Sequence, residues 1–195
     1  MTSSAEGVRR IAGALLLATA LLLATARPAL AGEIEGVQFT DTVRVGDQTL
    51  RLVNVGLLRY RIFIKAYVAA LYLGESVAPP ALFGDVPKRL EIEYFHAINA
   101  EGFAKATDAG LAANVSPAEL ARLRPRIGRL NALYRDVEPG DRYALTYLPG
   151  AGTELALNGT RLGVIEGADF AAAVFSIWLG REPLDGSLKR QLVGS

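Results

Sequence analysis

The feature that most constrains the fold is the run GLLRYRIFIKAYVAALYL at positions 56–73 of this 195-residue chain. It is rich in Ile, Val, Tyr and Phe and has no Pro and no internal Gly, which predicts one long central strand. Side chains alternate between the two faces of a strand, and here every even position is apolar. The odd face begins with Arg59, Arg61 and Lys65, continues with Tyr67 and ends apolar. We therefore expect this strand to leave a cationic cleft and to enter a packed core.

Residues 1–31 have the organisation of a secretory signal peptide. Arg9 and Arg10 precede an apolar run at 11–26, and Ala29–Leu30–Ala31 forms an A-x-A cleavage site. A membrane anchor is the alternative, but a span needs about 20 apolar residues and this run is shorter. We expect cleavage after Ala31, a periplasmic or secreted location, and a single mature domain at 32–195.

The composition excludes several classes of function. Without residues 1–31 the chain has 18 basic and 19 acidic residues, which gives no basic surplus for nucleic acid. The absence of Cys and the presence of one His exclude zinc clusters and Cys/His nucleophiles. That residue, His96, is the last residue of a predicted strand and is interpreted as structural. There is no G-x-G-x-x-G or Walker loop, so we expect neither a cofactor nor a metal.

The order of the predicted elements indicates an α+β fold. Strands precede two helices, and further strands precede two more, which favours a mainly antiparallel sheet with helices layered on one face. The predicted strands are 35–44, 48–55, 56–73, 88–96, 143–147, 153–157 and 160–165, and the predicted helices are 99–113, 116–134, 169–180 and 185–193. The clearest local signals are the capping box from Ser116 to Glu119 and the hairpin turn at Asn158–Gly159. Pro125 should kink or break its helix.

Charged residues outside the central run have ordinary structural interpretations. Glu91 and Glu93 are predicted to pair across strands with Arg61 and Lys65. The second predicted helix carries four arginines, which are interpreted as a solvated face, with an anion site or a docking surface for a protein partner as alternatives. These arginines are Arg122, Arg124, Arg126 and Arg129.

The central run also resembles chalcone isomerase-like proteins, and it is closest to the exported bacterial members. The similarity lies in FIKAYVAALYL at 63–73 and continues to IEGADF at 165–170 and IWLG at 177–180. It implies the chalcone isomerase fold, an open-faced β-sandwich backed by helices. Plant chalcone isomerases close a ring by attack of a phenolate on an enone, and an Arg stabilises the developing enolate charge.

The polar residues of the family are retained here only in part. The resemblance places the family's Arg on Arg59 and its catalytic Thr on Tyr67, so these two remain the catalytic candidates. Its helical Tyr falls on Phe103, its helical Asn near Gly110, and its Lys near Tyr94. This loss argues against flavanone formation.

The resemblance instead favours a non-catalytic binder of an apolar carboxylate, such as a fatty acid, whose carboxylate meets Arg59. The predicted ligand-binding residues are Arg59, Arg61, Lys65, Tyr67, Tyr94 and Phe103. One alternative is an isomerase, an intramolecular lyase acting on a phenolic enone. The other is an envelope interaction protein that docks through helix 116–134. The structural alternatives are an ion pair of Arg59 with Glu91 or Glu93, and plain core packing for Tyr67 and Phe103.

Overall fold

The computed structural model describes residues 30–60, 63–77 and 81–194. Residues 1–29 of the predicted signal peptide, Arg61 and the Pro79–Pro80 pair therefore lie outside the described residues. The strands are β1 (Leu30–Ile34), β2 (Val37–Thr40), β3 (Thr42–Val45), β4 (Gln48–Tyr60), β5 (Ile64–Gly74), β6 (Lys88–Tyr94), β7 (Arg142–Leu148), β8 (Gly152–Leu157) and β9 (Thr160–Ile165). The helices are α1 (Ala100–Asn114), α2 (Pro117–Leu133), α3 (Ala168–Leu179) and α4 (Gly186–Val193).

The main sheet has seven strands in the order β3-β4-β5-β6-β7-β8-β9, and every neighbouring pair is antiparallel. Strands β1 and β2 form a separate two-stranded ribbon. The helices α1 and α2 are inserted between β6 and β7, and α3 and α4 follow β9. This arrangement confirms the predicted α+β class with a mainly antiparallel sheet.

The prediction of one long strand at 56–73 is wrong. Strand β4 ends at Tyr60, β5 begins at Ile64, and the two pair as a hairpin in which Arg59 lies opposite Lys65. Gly56 is buried within β4 rather than opening a strand, and a Cβ there would come within 2.8 Å of Leu188 in α4. The sequence between the two strands has none of the Gly, Pro or Asn residues that usually mark a turn. The alternating β-type pattern of the sequence therefore gave no sign that the strand ends there.

Other local signals are confirmed. Ser116 accepts a hydrogen bond from the backbone N–H of Glu119 at the start of α2. Asn158 and Gly159 have φ of 50° and 78°, as a two-residue hairpin between β8 and β9 requires. The break expected at Pro125 is wrong, because α2 continues through it. The carbonyl that Pro125 leaves without an intrahelical donor belongs to exposed Ala121, where water can satisfy it.

Strand β5 supplies side chains to two cores. Its odd positions from Tyr67 to Leu73 pack under the helices, in the larger core. Its even positions Val68, Ala70 and Tyr72 pack with Phe39 of the β1–β2 ribbon in the smaller core. Because each fully buried apolar side chain contributes about 1.5–3 kcal/mol, both faces hold this strand at the centre of the fold.

Glu91 and Glu93 do not pair with Lys65 as predicted, and Arg61, their other predicted partner, lies outside the described residues. Glu91 binds Arg89 at 2.8 Å, and Arg142 of β7 reaches Glu93 at 2.6 Å. The reason is the register, since the β5 residues opposite the two glutamates are apolar Ala70 and Val68. On the other side of β6, Arg142 stands directly opposite Glu93.

Two arginines of α2 form ion pairs with residues elsewhere in the chain. Arg126 donates two hydrogen bonds of 2.7 Å to the carboxylate of Asp169, at the start of α3. Arg129 donates to both carboxylate oxygens of Glu166 at 3.2 and 3.0 Å. These bonds fasten α2 to the segment that leads into α3, which weakens the case for this helix face as a docking surface.

Candidate functional site

A cavity of about 180 Å³ lies between the helix-facing side of the sheet and helices α1 and α3. Strands β5, β6 and β7 form its floor, because alternate residues of each strand point towards the helices. The lining residues are Tyr67, Leu90, Ile92, Tyr94, Ile98, Gly102, Phe103, Ala106, Thr107, Tyr134, Tyr143, Leu145, Leu155, Ile177, Trp178 and Leu184.

Five aromatic rings form a connected cluster around this cavity. Tyr94 of β6 lies directly opposite Tyr67 of β5, and their ring centroids are 5.7 Å apart. Tyr94 also contacts Phe103 and Tyr143 edge to face, at 5.2 and 6.1 Å. Phe103 stacks on Tyr134 at 5.4 Å. Such pairs contribute about 0.5–1.5 kcal/mol each beyond their buried area, so the aromatic wall is held firmly in place.

The four tyrosine hydroxyls differ in their partners. Tyr143 accepts from the backbone N–H of Arg135 and donates to its carbonyl, at 2.7 and 2.9 Å. Tyr134 shares a hydrogen bond of 2.8 Å with Thr107. Tyr67 accepts from the indole N–H of Trp178 at 3.1 Å. Tyr94 has no hydrogen-bond partner within the described part of the chain.

The cavity is electrically neutral at physiological pH. Burial raises the pKa of Tyr94 well above its usual value, and it also raises the pKa of Tyr67. Burial likewise raises the pKa of Tyr134 to about 12. None of the described residues that line the cavity is charged. The site therefore offers apolar surface and neutral O–H groups.

The mouth of the cavity lies between α1 and the segment that joins α3 to α4. Ala106 and Leu184 are the exposed lining residues, and Leu184 retains 51% of its accessible surface. Phe103 and Trp178 are half-buried beside them. A ligand would enter between α1 and this connecting segment.

The structure brings together only some of the predicted site residues. Tyr67, Tyr94 and Phe103 line the cavity. Arg59 lies instead in a separate open groove, where it donates to Glu35 at 3.1 Å. Lys65 also binds Glu35, and this hydrogen bond, with the charges of Lys65 and Arg59, lowers the pKa of the Glu35 carboxyl group. The ion pair left open as an alternative for Arg59 thus exists, but with Glu35 rather than with Glu91 or Glu93.

Several lining residues were not anticipated from the sequence, chiefly Thr107, Tyr134, Tyr143 and Trp178. Part of the signal was present, because Tyr134 ends the apolar stripe of α2 and Tyr143 alternates with Leu145 along β7. Their convergence depends on helix packing that no local pattern reveals.

The position of the family's helical Asn is closed to a side chain here. Gly110 of α1 packs against Ile177 of α3, and a Cβ at this position would lie 2.8 Å from the Ile177 Cγ2 atom.

The comparisons identify the family. The profile of the chalcone isomerase-like family matches residues 31–194, and the chain belongs to that family. No curated protein sequence matches this chain. A similar solved structure is the Arabidopsis thaliana fatty-acid-binding protein AtFAP1, with a TM-score of 0.62 and 14% identity over 81% of this chain and 92% of the other. This likeness confirms the predicted fold.

Among the described residues, no helix combines the length and apolarity that crossing a bilayer requires. In the same part of the chain, no three His, Cys, Asp or Glu side chains come together as a metal site would need.

Proposed function

We propose that this protein binds an apolar small molecule in the cavity and does not transform it. The observation that carries the proposal is the cavity itself, with its apolar and aromatic walls, a few hydroxyl groups and a mouth on one side. Ligand pockets typically combine such walls with a small number of polar groups. The fatty-acid-binding function of the similar plant protein supports the same interpretation.

The cavity volume limits the part of a ligand that is enclosed. An engineered cavity of about 150 Å³ in another protein holds one benzene ring. The 180 Å³ here suits one ring or a short acyl segment. A longer fatty acid would extend through the mouth past Ala106 and Leu184.

The site chemistry favours binding over catalysis. General acid–base catalysis is most efficient when the pKa of the catalytic group lies near the working pH. The titratable groups that line the cavity are tyrosines, and burial raises the pKa values of Tyr67, Tyr94 and Tyr134 away from neutrality. Arg59, the cation that an isomerase would need at a developing enolate, lies in the other groove and pairs with Glu35.

The sole tryptophan of the chain provides the assay. Trp178 lines the cavity, so its fluorescence should change in a saturable way when fatty acids from hexanoate to dodecanoate are titrated. Ala106→Phe should block the mouth and weaken binding at least about tenfold, a loss of about 1.4 kcal/mol. Ala109→Phe is the matched control, because Ala109 is exposed on the same helix and does not line the cavity.

Two results would overturn this function. One is the absence of saturable binding across the whole series. The other is ring closure of a 2′-hydroxychalcone well above the spontaneous rate, which would make the isomerase alternative correct.

We also infer that the protein is exported. The A-x-A site supports this inference, and so does the start of the family match at residue 31. Cleavage after Ala31 would keep the β1–β2 pairings of Gly32 with Phe39 and of Ile34 with Val37. The intact mass of the protein from the native host should correspond to a chain that begins at Gly32, and retention of residues 1–31 would contradict this.

A further inference from the structure

The side chain of Tyr94 is buried, and its hydroxyl has no hydrogen-bond partner among the described residues. Tyr94 keeps only 5% of its accessible surface, and its ring packs against those of Tyr67, Phe103 and Tyr143. A phenol hydroxyl can both donate and accept a hydrogen bond, so one that has no protein partner is available to a ligand.

This hydroxyl borders the cavity. The buried side-chain polar atoms that are fully enclosed and lack a partner are those of Tyr72, Asn131 and Thr153 within the described chain. The Tyr94 oxygen is not among them, so it keeps contact with open space. The open space that Tyr94 lines is the cavity.

A second unused donor lies beside it. The Tyr67 oxygen accepts the indole N–H of Trp178, and a phenol that accepts one hydrogen bond can still donate its own proton. No acceptor for that proton occurs among the described residues. Tyr67 and Tyr94 are direct cross-strand neighbours on the same face of the sheet, so both donors serve one region of the cavity.

We propose that Tyr94 and Tyr67 form a two-hydroxyl subsite for an uncharged hydrogen-bond acceptor on the ligand, such as a ketone, an ester or a protonated carboxylic acid. This inference rests on the proposed function and specifies the ligand class for the same cavity. It differs from the expectation that a carboxylate meets Arg59.

The preference for an uncharged group follows from the charges around the site. Burying a carboxylate without a cationic partner is costly, and no described lining residue is cationic. Arg59 and Lys65 are held by Glu35 outside the cavity lining. A fatty acid would therefore bind with its head group inside only when protonated, or else with its carboxylate in water at the mouth.

Three small aromatic compounds separate these possibilities by calorimetry. Ethylbenzene has no acceptor, acetophenone has a neutral carbonyl, and benzoate is anionic at pH 7.5. We expect acetophenone to bind most tightly and benzoate most weakly, with benzoate binding improving as the pH falls towards 5. Tyr94→Phe should weaken acetophenone binding about 3–10-fold, as expected for one neutral hydrogen bond, and leave ethylbenzene binding unchanged.

The variants include a matched control. Tyr72→Phe removes a buried hydroxyl on the opposite face of the sheet, away from the cavity, so it should change no ligand affinity. Tyr94→Phe should fold with undiminished stability, because the hydroxyl that it removes makes no internal hydrogen bond.

The outcomes distinguish the two proposals. If ethylbenzene binds but acetophenone has no advantage, or if Tyr94→Phe affects both equally, the subsite is wrong and the cavity remains a binding site. If none of the three compounds binds, the subsite is wrong, and the proposed function fails with it only if the fatty-acid series also shows no saturable binding.

Discussion

The indole N–H of Trp178 donates a hydrogen bond to the hydroxyl of Tyr67 across 3.1 Å, joining helix α3 to strand β5 at the wall of the cavity. This bond fixes the orientation of the Tyr67 hydroxyl. It also places the sole tryptophan of the chain where a bound molecule must touch it.

Tyr67→Phe should change the emission of Trp178, because the indole loses its acceptor while the ring packing is kept. The free energy of unfolding should fall by about 0.5–1.5 kcal/mol, the usual net value of a hydrogen bond. Fluorescence spectra and denaturant unfolding measure the two effects. Tyr143→Phe is the control, since its hydroxyl bonds to Arg135 and not to Trp178. Unchanged emission in Tyr67→Phe would show that the two side chains are not joined in solution.

Gly110→Ala should destabilise the protein by about 1–3 kcal/mol, because the added methyl group would press into Ile177 and force α1 and α3 apart. Gly128 offers the matched control within α2. It is exposed, and an added Cβ would meet nothing within 4 Å. Gly128→Ala should therefore stabilise the helix by up to about 1 kcal/mol. Thermal and denaturant unfolding of both variants test this, and equal effects would refute the tight α1–α3 contact.

Arg59→Ala should leave fatty-acid affinity unchanged and loosen the β1–β2 ribbon. Glu35, in the turn of that ribbon, is the residue that Arg59 and Lys65 hold. Hydrogen exchange should become faster in β1 and β2, and Arg59→Lys should restore it only in part, because a point charge lacks the guanidinium geometry. An affinity loss of about 10–150-fold with unchanged exchange would instead establish Arg59 as a carboxylate anchor.

The stability of the protein should increase between about pH 8 and about pH 9 because of Lys88. Its side chain is buried and donates to the carbonyls of Leu82 and Gly84 at 2.8 and 2.9 Å. Burial lowers the pKa of Lys88 from 10.5 to about 8, against the opposing charge of Asp85. Between these values the unfolded chain holds a proton that the folded chain has lost, so a rising pH favours folding.

Denaturant unfolding at several pH values measures how the free energy of unfolding changes with pH. The slope of that change corresponds to the uptake of up to about one proton on unfolding. Lys88→Met should abolish it, whereas Lys105→Met, at an exposed position on α1, should not. Above about pH 9 the slope should reverse, since the unfolded tyrosines begin to ionise while Tyr67, Tyr94 and Tyr134 stay protonated in the fold. A flat profile between about pH 8 and about pH 9 would contradict the lowered pKa of Lys88.

The fold was predictable where local chemistry determines the backbone. The Ser116 cap and the Asn158–Gly159 turn are short-range signals, and both are confirmed. The hairpin between β4 and β5 was missed because its turn interrupts neither the β-propensity nor the alternation of the run at 56–73. Phe63, in that turn, is 87% exposed, which is unusual for a large apolar side chain.

The candidate site was only partly predictable for the same reason. Three of its residues, Tyr67, Tyr94 and Phe103, were found through the family resemblance. Because the hairpin was interpreted as one strand, Arg59 and Tyr67 were predicted to lie on the same strand face and to share one cleft. In the structure Tyr67 lines the cavity, whereas Arg59 lies in a separate groove. The contribution of Trp178 and the free hydroxyl of Tyr94 depend on contacts between elements far apart in the sequence.

The order of the seven-stranded sheet has a consequence for how the chain folds. Each strand pairs with the next along the chain, so most pairings close short loops and form early at little entropic cost. The exception is the pairing of β6 with β7, which must close the segment 95–141 that contains α1 and α2. We expect this step to limit the folding rate, and the aromatic cavity, which needs β6, β7 and α1 together, to be complete only once it has occurred.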